Sequence, residues 1–190
     1  MVFQWPIPLL PIHLLWVNLV TDAFPALALG VEKKEPGLMD EKPRDPSEPI
    51  INKDMIINIV VQSLVMTAAV LFSFWFGCQR GGGMATDAGL MMGRTYAFVS
   101  IITCELLRAY SARSEKYTIF KIGIFSNSKM NLATVASFAL LFVVMLVPAL
   151  NDVFNVSHLA FSDWDVVILI SIMPLVFGEL TKVVKRKFMK

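Results

Sequence analysis

The sequence predicts an all-α integral membrane protein in which five transmembrane helices form a bundle, with the N-terminus outside and the C-terminus in the cytosol. Hydrophobic residues make up 56% of the 190 residues and charged residues only 17%, and the mean hydropathy is +0.64. A soluble domain carries about 25% charged residues, so the apolar excess indicates a chain that faces lipid. Five apolar segments approach the ~20 residues that cross a bilayer, and they comprise residues 7–31, 55–77, 89–110, 132–150 and 166–184.

The five segments differ in how strongly their composition favours a membrane span. The first is apolar but holds several prolines and polar residues, and the second is uncharged. The third is the weakest because it contains Arg94, Glu105 and Arg108. The fourth has no charge, and the fifth is apolar as far as Glu179 and Lys182.

The basic residues predict the orientation. Fifteen of the 17 lysines and arginines lie, five in each region, between the first two spans, between the third and fourth when the helix end with Arg108 is counted, and at the C-terminal end from Lys182 onward. Short cytosolic loops hold the excess of Lys and Arg. We therefore expect one domain (1–190) with cytosolic loops at 32–54 and 111–131, and with Arg80 and Arg94 outside. An odd number of spans that starts outside is typical of the second part of a longer protein.

Composition also excludes several classes of protein. A net charge of +2, without a basic stripe, argues against nucleic-acid binding. Cys78 and Cys104 stand alone in the sequence, which argues against a disulfide framework and against a zinc site. The partner that we expect for the apolar surface of the chain is therefore the lipid bilayer.

The first span carries the strongest candidate for a binding site. Asn18, Thr21 and Asp22 are spaced i, i+3 and i+4, which in an α-helix places them on one face near the middle of the membrane. Pro25 frees the carbonyl of Thr21, since proline disrupts the hydrogen bond to the residue four positions earlier. These oxygens form half of a hard-cation shell suited to Ca²⁺. The alternative is that they are hydrogen-bonding contacts between helices.

Two further acids and a histidine lie within the spans. Glu105 is either an ion ligand or the partner of Arg108 three residues later, and Glu179 is spaced to pair with Lys182 in the same way. An acid inside a membrane helix is costly to insert and therefore needs a partner or a function. For His13 we expect a satisfied polar contact and not a metal ligand.

Several strings of this sequence closely resemble P-type calcium-transporting ATPases of the sarco/endoplasmic reticulum type and their bacterial relatives. Residues 15–22 (LWVNLVTD) and 25–32 (PALALGVE) are similar to the sixth transmembrane helix of that family. The resemblance continues through the loops and the last helix, at residues 39–50, 120–127, 163–164 and 179–182. It covers essentially the whole chain, although Ala23 stands where the family usually has glycine.

The resemblance implies that the five spans are the sixth to tenth helices of a ten-helix pump, in the plasma membrane if the source is bacterial. It implies that Asn18, Thr21, Asp22 and Glu105 are ligands of the transported ion, Ca²⁺ or another hard cation such as Mn²⁺. The implied partners are the N-terminal helices and the cytosolic catalytic domains of the parent pump. ATP and Mg²⁺ would act only in that parent, because the chain has no Asp-Lys-Thr-Gly-Thr phosphorylation motif.

A second class of function stays open at this point. The same composition fits a truncated membrane bundle that has a structural or interaction role and transports no ion. A small channel or secondary transporter is less favoured, since inverted repeats would support it and none is visible in the sequence.

Overall fold

A computed structural model describes residues 5–35, 38–40, 49, 51 and 53–188 of the chain. Seven α-helical segments lie within these residues in the order α1 (Pro11–Gly30), α2 (Lys53–Arg80), α3 (Asp87–Ser111), α4 (Ile119–Ile122), α5 (Ser128–Leu146), α6 (Pro148–Phe154) and α7 (Phe161–Phe188). Short 3₁₀ turns lie at Leu38–Asp40 and Ile124–Ser126. No strand occurs in the described part of the chain.

The long helices α1, α2, α3, α5 and α7 contain stretches of 19 to 26 residues that are long and apolar enough to cross a membrane. Their surfaces keep many large apolar side chains exposed, as expected where the surrounding medium is hydrocarbon. The predicted all-α membrane fold is therefore confirmed, and the chain is an integral, multi-pass membrane protein.

Helix α3 lies at the centre of the bundle. In its most apolar stretch 61% of the residues are buried, against 11% in α2, although α3 has the lowest mean hydropathy of the five at 1.3. Its side chains Tyr96, Phe98 and Ile102 are completely or almost completely buried. The third span can be the least hydropathic of the five because polar residues such as Thr95 and Ser100 are covered by protein, where lipid does not select against them.

Close approach of α2 and α3 depends on two glycines. A Cβ added to Gly77 would lie 2.8 Å from Tyr96, and one added to Gly93 would lie 2.9 Å from the carbonyl oxygen of Phe74. Small residues at such crossings let helix backbones approach within van der Waals distance, which is a main source of stability for helices in lipid.

The fourth span is interrupted near its C-terminal end. Helix α5 ends at Leu146, Val147 is extended, and Pro148 opens the separate short helix α6. Proline cannot donate the hydrogen bond that would continue α5, but it is favoured in the first turn of a new helix. The predicted segment 132–150 therefore contains the end of one helix and the start of another.

The contacts between helix ends define two sides of the bundle. On one side the Asn127 side chain donates to the carbonyl of Ala28, 3.2 Å away, and the Ser111 hydroxyl donates to Glu179, 2.6 Å away. These contacts join the ends that the basic residues assign to the cytosol. Which side of the membrane they occupy stays a prediction.

On the opposite side α2, α3 and α7 meet in a charge pair whose acid is buried and whose arginine is half exposed. The Arg80 guanidinium lies 2.8 Å from Asp163, and the Tyr96 hydroxyl donates to the same carboxylate oxygen, also over 2.8 Å. The Asp163 side chain is 3% exposed, so these donors replace the water that the carboxylate loses on burial.

The Arg113 side chain joins the end of α1 to the loop before α5. It contacts both carboxylate oxygens of Glu32, at 2.8 and 3.0 Å, and it donates to the carbonyls of Gly123 and Ile124. The guanidinium hydrogen bonds to Glu32 lower the pKa of that carboxyl below its ordinary value of 4.5. The predicted loop 32–54 otherwise lies largely outside the described residues.

We expect Gly93→Ala to destabilise the bundle by about 2 kcal/mol, because an added methyl group would force α2 and α3 apart. Thermal unfolding of the purified chain in detergent measures this. Gly30→Ala is the matched control, since no other atom lies within 4 Å of its added Cβ. Equal unfolding temperatures for the two variants would show that the helix crossing is not tightly packed.

We expect the Glu32 contact with Arg113 to make stability depend on pH. Because its folded pKa is lowered, the pair stabilises fully above the ordinary pKa and its contribution is lost as the pH falls through the folded value. Glu32→Gln should cost about 3 kcal/mol at neutral pH, since it leaves Arg113 buried without its charge partner. It should also reduce the acid limb of the stability curve, which is the loss of stability that the unmodified chain shows as the pH falls.

Exposed Glu115 serves as the control for this experiment. Glu115→Gln should leave both the stability and its acid limb unchanged. An acid limb that stays the same in Glu32→Gln would assign the pH dependence to other groups.

Candidate ion-binding site

The polar segment of α1 is not a regular α-helix. Residues Val17–Asp22 form a π-helix between the α-helical parts Pro11–Trp16 and Ala23–Gly30. Short π-helical segments inside α-helices occur frequently at functional sites. Pro25 follows within the next turn and removes one donor from the hydrogen-bond ladder, which explains why the distortion lies here.

The π-helix changes how the predicted ligands are arranged. Regular α-helical spacing would place Asn18, Thr21 and Asp22 on one face, but only Thr21 is buried, at 2% exposure, while Asn18 and Asp22 are exposed in the isolated chain. The segment therefore directs one hydroxyl into this bundle and leaves an amide and a carboxylate open to further neighbours.

Glu105 of α3 lies beside this segment. Asp22 is near enough for the two carboxylates to repel each other electrostatically, so the fold brings together two acids that are 83 positions apart in the sequence. Oε2 of Glu105 and Oγ1 of Thr21 are buried, and neither has a hydrogen-bond partner in the described residues. Buried polar atoms without a partner are rare and each calls for a physical explanation.

The alternative ion pair between Glu105 and Arg108 does not form in the structure. Arg108 is exposed, and it makes no ion pair with Glu105 among the described residues, although its positive charge acts on that carboxyl at longer range. Glu105 thus has no ion-pair partner among the described residues, and it lies within electrostatic reach of Asp22.

Glu179, in contrast, is fully used in packing the helix ends. Its carboxylate lies 2.7 Å from the Lys182 ammonium, and it accepts hydrogen bonds from the Ser111 hydroxyl at 2.6 Å and the Ile119 amide at 2.8 Å. The predicted pairing of Glu179 with Lys182 is confirmed.

His13 is likewise satisfied by protein. Its Nδ1 accepts from the Leu10 amide at 3.2 Å, so Nε2 carries the proton and donates to the Phe154 carbonyl at 2.6 Å. Both ring nitrogens are occupied, which confirms the expected polar contact.

Ser137 of α5 is a residue that the sequence analysis missed. It is buried at 1% exposure, and its hydroxyl donates to the Val20 carbonyl, 3.2 Å away in the π-helix. A serine in an otherwise apolar span was the available signal, but its partner could not be known without the packing of α5 against α1.

The described residues contain no complete cluster of metal ligands. No three His, Cys, Asp or Glu side chains among them lie close enough together to hold a metal ion. The carboxylates in this region are those of Asp22 and Glu105. The side-chain oxygens of Asn18 and Thr21 lie within four positions of Asp22 in the sequence.

Comparison with known proteins places the chain in a family. The model of the family described as "Cation transporting ATPase, C-terminus" matches residues 6–184. The chain belongs to this family. The resemblance inferred from the sequence is therefore confirmed.

Individual relatives show how much of a longer protein this family domain represents. The chain is 33% identical to calcium-transporting ATPase 1 of Bacillus cereus, over 96% of this chain and 22% of that protein. It is 32% identical to the calcium-transporting ATPase of Bacillus subtilis, over 92% and 19%. It is 27% identical to human calcium-transporting ATPase type 2C member 1, over 96% and 19%. The chain thus spans about a fifth of the length of these relatives.

We expect Ser137→Ala to weaken the packing of α5 on the π-helix, because the Val20 carbonyl loses its donor. A hydrogen bond between membrane helices contributes about 0.6 kcal/mol on average, and chemical unfolding in mixed detergent micelles resolves such a difference. Thr134→Val is the control on the same helix, since its buried hydroxyl has no partner in the described residues. A loss of stability in Thr134→Val but not in Ser137→Ala would contradict the assignment.

Proposed function

We propose that the chain is the C-terminal membrane part of an ATP-driven P-type pump for Ca²⁺, and that it contributes ion-coordinating oxygens from α1 and α3. The observation that carries this proposal is the pair of buried, unpartnered oxygens on Thr21 and Glu105 beside the Asp22 carboxylate. In a bilayer no water compensates such groups. A cation bound between them would both satisfy the oxygens and remove the repulsion between the acids.

The chemistry of the ligands favours a hard divalent cation. Asp22 and Glu105 supply carboxylate oxygens, Thr21 a hydroxyl and Asn18 an amide, the types that Ca²⁺ prefers. Mn²⁺ accepts the same oxygens, but the names of the bacterial and human relatives favour Ca²⁺.

The remainder of the pump lies in other parts of the protein. Ca²⁺ takes 6–8 oxygens, so helices that precede this region would complete the shell beside exposed Asn18 and Asp22. Cytosolic catalytic domains would bind ATP and Mg²⁺ and accept the phosphoryl group on an aspartate, and this region alone would not hydrolyse ATP. With the N-terminus outside, Asp22 would take Ca²⁺ from the cytosol and carry protons back.

The first test uses the repulsion between the two acids. Without divalent ions, Asp22→Asn should raise the free energy of unfolding, on the order of 1 kcal/mol, because one of two like charges is removed. Ca²⁺ at a hundred times its Kd should stabilise the unmodified chain by about 2.7 kcal/mol and Asp22→Asn much less. Unfolding in detergent with and without Ca²⁺ measures both effects.

Asp152→Asn is the control, because Asp152 is an exposed acid on α6, away from the site. It should keep the full Ca²⁺ response. A Ca²⁺ response that Asp152→Asn weakens as strongly as Asp22→Asn does, or undiminished phosphorylation of the complete ATPase in Asp22→Asn, would favour a membrane bundle without a transport role. In the complete ATPase, Asp22→Asn should abolish Ca²⁺-dependent phosphorylation by ATP, and Glu105→Gln should lower the apparent affinity for Ca²⁺.

A further inference from the structure

A cavity lined largely by charged residues lies at the end of α1, away from the π-helix. Its volume is about 200 Å³, and it is enclosed by the segment that follows α1 and by the loop between α3 and α5. Lysines 33, 34 and 121 line it together with Glu32, Glu35 and Arg113. The cavity belongs neither to the proposed ion site nor to the charge pair at the other side of the bundle.

The cavity has an excess of positive charge that the described residues do not neutralise. Arg113 and Glu32 are committed to each other through two contacts. Lys33, Lys34 and Lys121 are exposed and have no ion pair within the described part of the chain. Lys121 does contact an aromatic ring, since its ammonium lies 4.1 Å from the centre of the Tyr117 ring. Against these three ammonium groups the lining offers only the Glu35 carboxylate.

The position of the cavity is at the level of the membrane surface. It begins at Glu32, two residues after α1 ends at Gly30, and it includes Ser126, two residues before α5 begins at Ser128. Both α1 and α5 are apolar enough to cross a membrane. Side chains this close to the ends of two spans lie in the layer of lipid headgroups.

Two aromatic side chains on the same loop support contact with lipid. Phe120 and Phe125 are 78% and 81% exposed, and Phe120 directly precedes Lys121. Large apolar side chains next to basic residues are the composition of segments that lie in a membrane interface. A cavity for a soluble anion has no use for such neighbours.

We propose that this cavity binds the phosphate of an anionic phospholipid headgroup, with Lys33, Lys34 and Lys121 around the phosphate and Phe120 and Phe125 inserted beside it. Lysine ammonium groups bind phosphate as compact charges with three donors each. Basic cavities between membrane helices on the cytosolic side are suited to anionic headgroups, and this is the side that the distribution of lysine and arginine predicts.

Native mass spectrometry of the full chain, released from nanodiscs, tests the proposal by counting retained lipids. Nanodiscs of phosphatidylcholine with phosphatidylglycerol should leave phosphatidylglycerol bound in preference to phosphatidylcholine. Each Lys→Gln change at the cavity should weaken this retention about fivefold, since a lysine near an anionic surface contributes about 1 kcal/mol. The variant with all three lysines changed to glutamine should lose the preference for phosphatidylglycerol entirely. Raised salt should also weaken this preference, because it screens the charges.

Lys129→Gln provides the matched control, because Lys129 is an exposed lysine of the neighbouring α5 that does not line the cavity. It should retain phosphatidylglycerol like the unmodified chain. Equal losses in Lys129→Gln and Lys121→Gln would show general surface attraction and would overturn the proposal, as would full retention by the triple variant.

Two further experiments distinguish binding of a lipid headgroup from binding of a soluble phosphate. Inorganic phosphate added to phosphatidylglycerol nanodiscs should not displace the lipid, and displacement would assign the cavity to a soluble anion instead. In the Phe125→Trp variant, the fluorescence added relative to the unmodified chain should be quenched by brominated phosphatidylglycerol. Quenching by aqueous acrylamide alone would place the loop in water and contradict the proposal.

Discussion

A bilayer contains no water to satisfy polar groups, so each polar side chain in a membrane helix needs a partner within the protein. In this bundle that constraint determines which helix is central. Helix α3 has the most polar sequence of the five long helices and the largest buried share. Its Tyr96 completes the contact of Arg80 with Asp163 on one side, and its Ser111 binds Glu179 on the other. The remaining long helices can present apolar surfaces to lipid because α3 and these contacts hold them together.

The same constraint is not met at two of the predicted ligands, as it is not met at Trp16 and Thr134. Thr21 and Glu105 keep buried oxygens without partners in the described residues. Thr21 belongs to the π-helical part of α1, and Glu105 belongs to α3, which packs against it. Ser137 supports the distorted backbone through the Val20 carbonyl. A distorted helix, two neighbouring acids and unpartnered oxygens together suit an ion that must enter and leave, since a site fully satisfied by protein would have no affinity to offer.

Much of the architecture could be predicted from patterns that span a single helix. Length and apolar composition located the five spans, and the i, i+3 spacing found the pairing of Glu179 with Lys182. The same rule suggested a pair between Glu105 and Arg108 that does not form, because spacing along one helix takes no account of a neighbouring acid on another. The π-helix at Val17–Asp22 could not be predicted in the same way, because the sequence pattern was interpreted with regular α-helical spacing. Pro25 indicated only that a backbone hydrogen bond nearby is disturbed.

The sequence by itself determined that the chain lies in a membrane and how many times its composition allows it to cross, and it predicted which residues of α1 would bind a hard cation. Each of these follows from the transfer of side chains into hydrocarbon or from the chemistry of their donor atoms, which are local properties. Only the tertiary structure decided that Glu105 lies within electrostatic reach of Asp22, that Ser137 donates to the π-helix, and that three lysines from two segments line one cavity. Those facts depend on helix packing, which joins residues that are far apart in the chain.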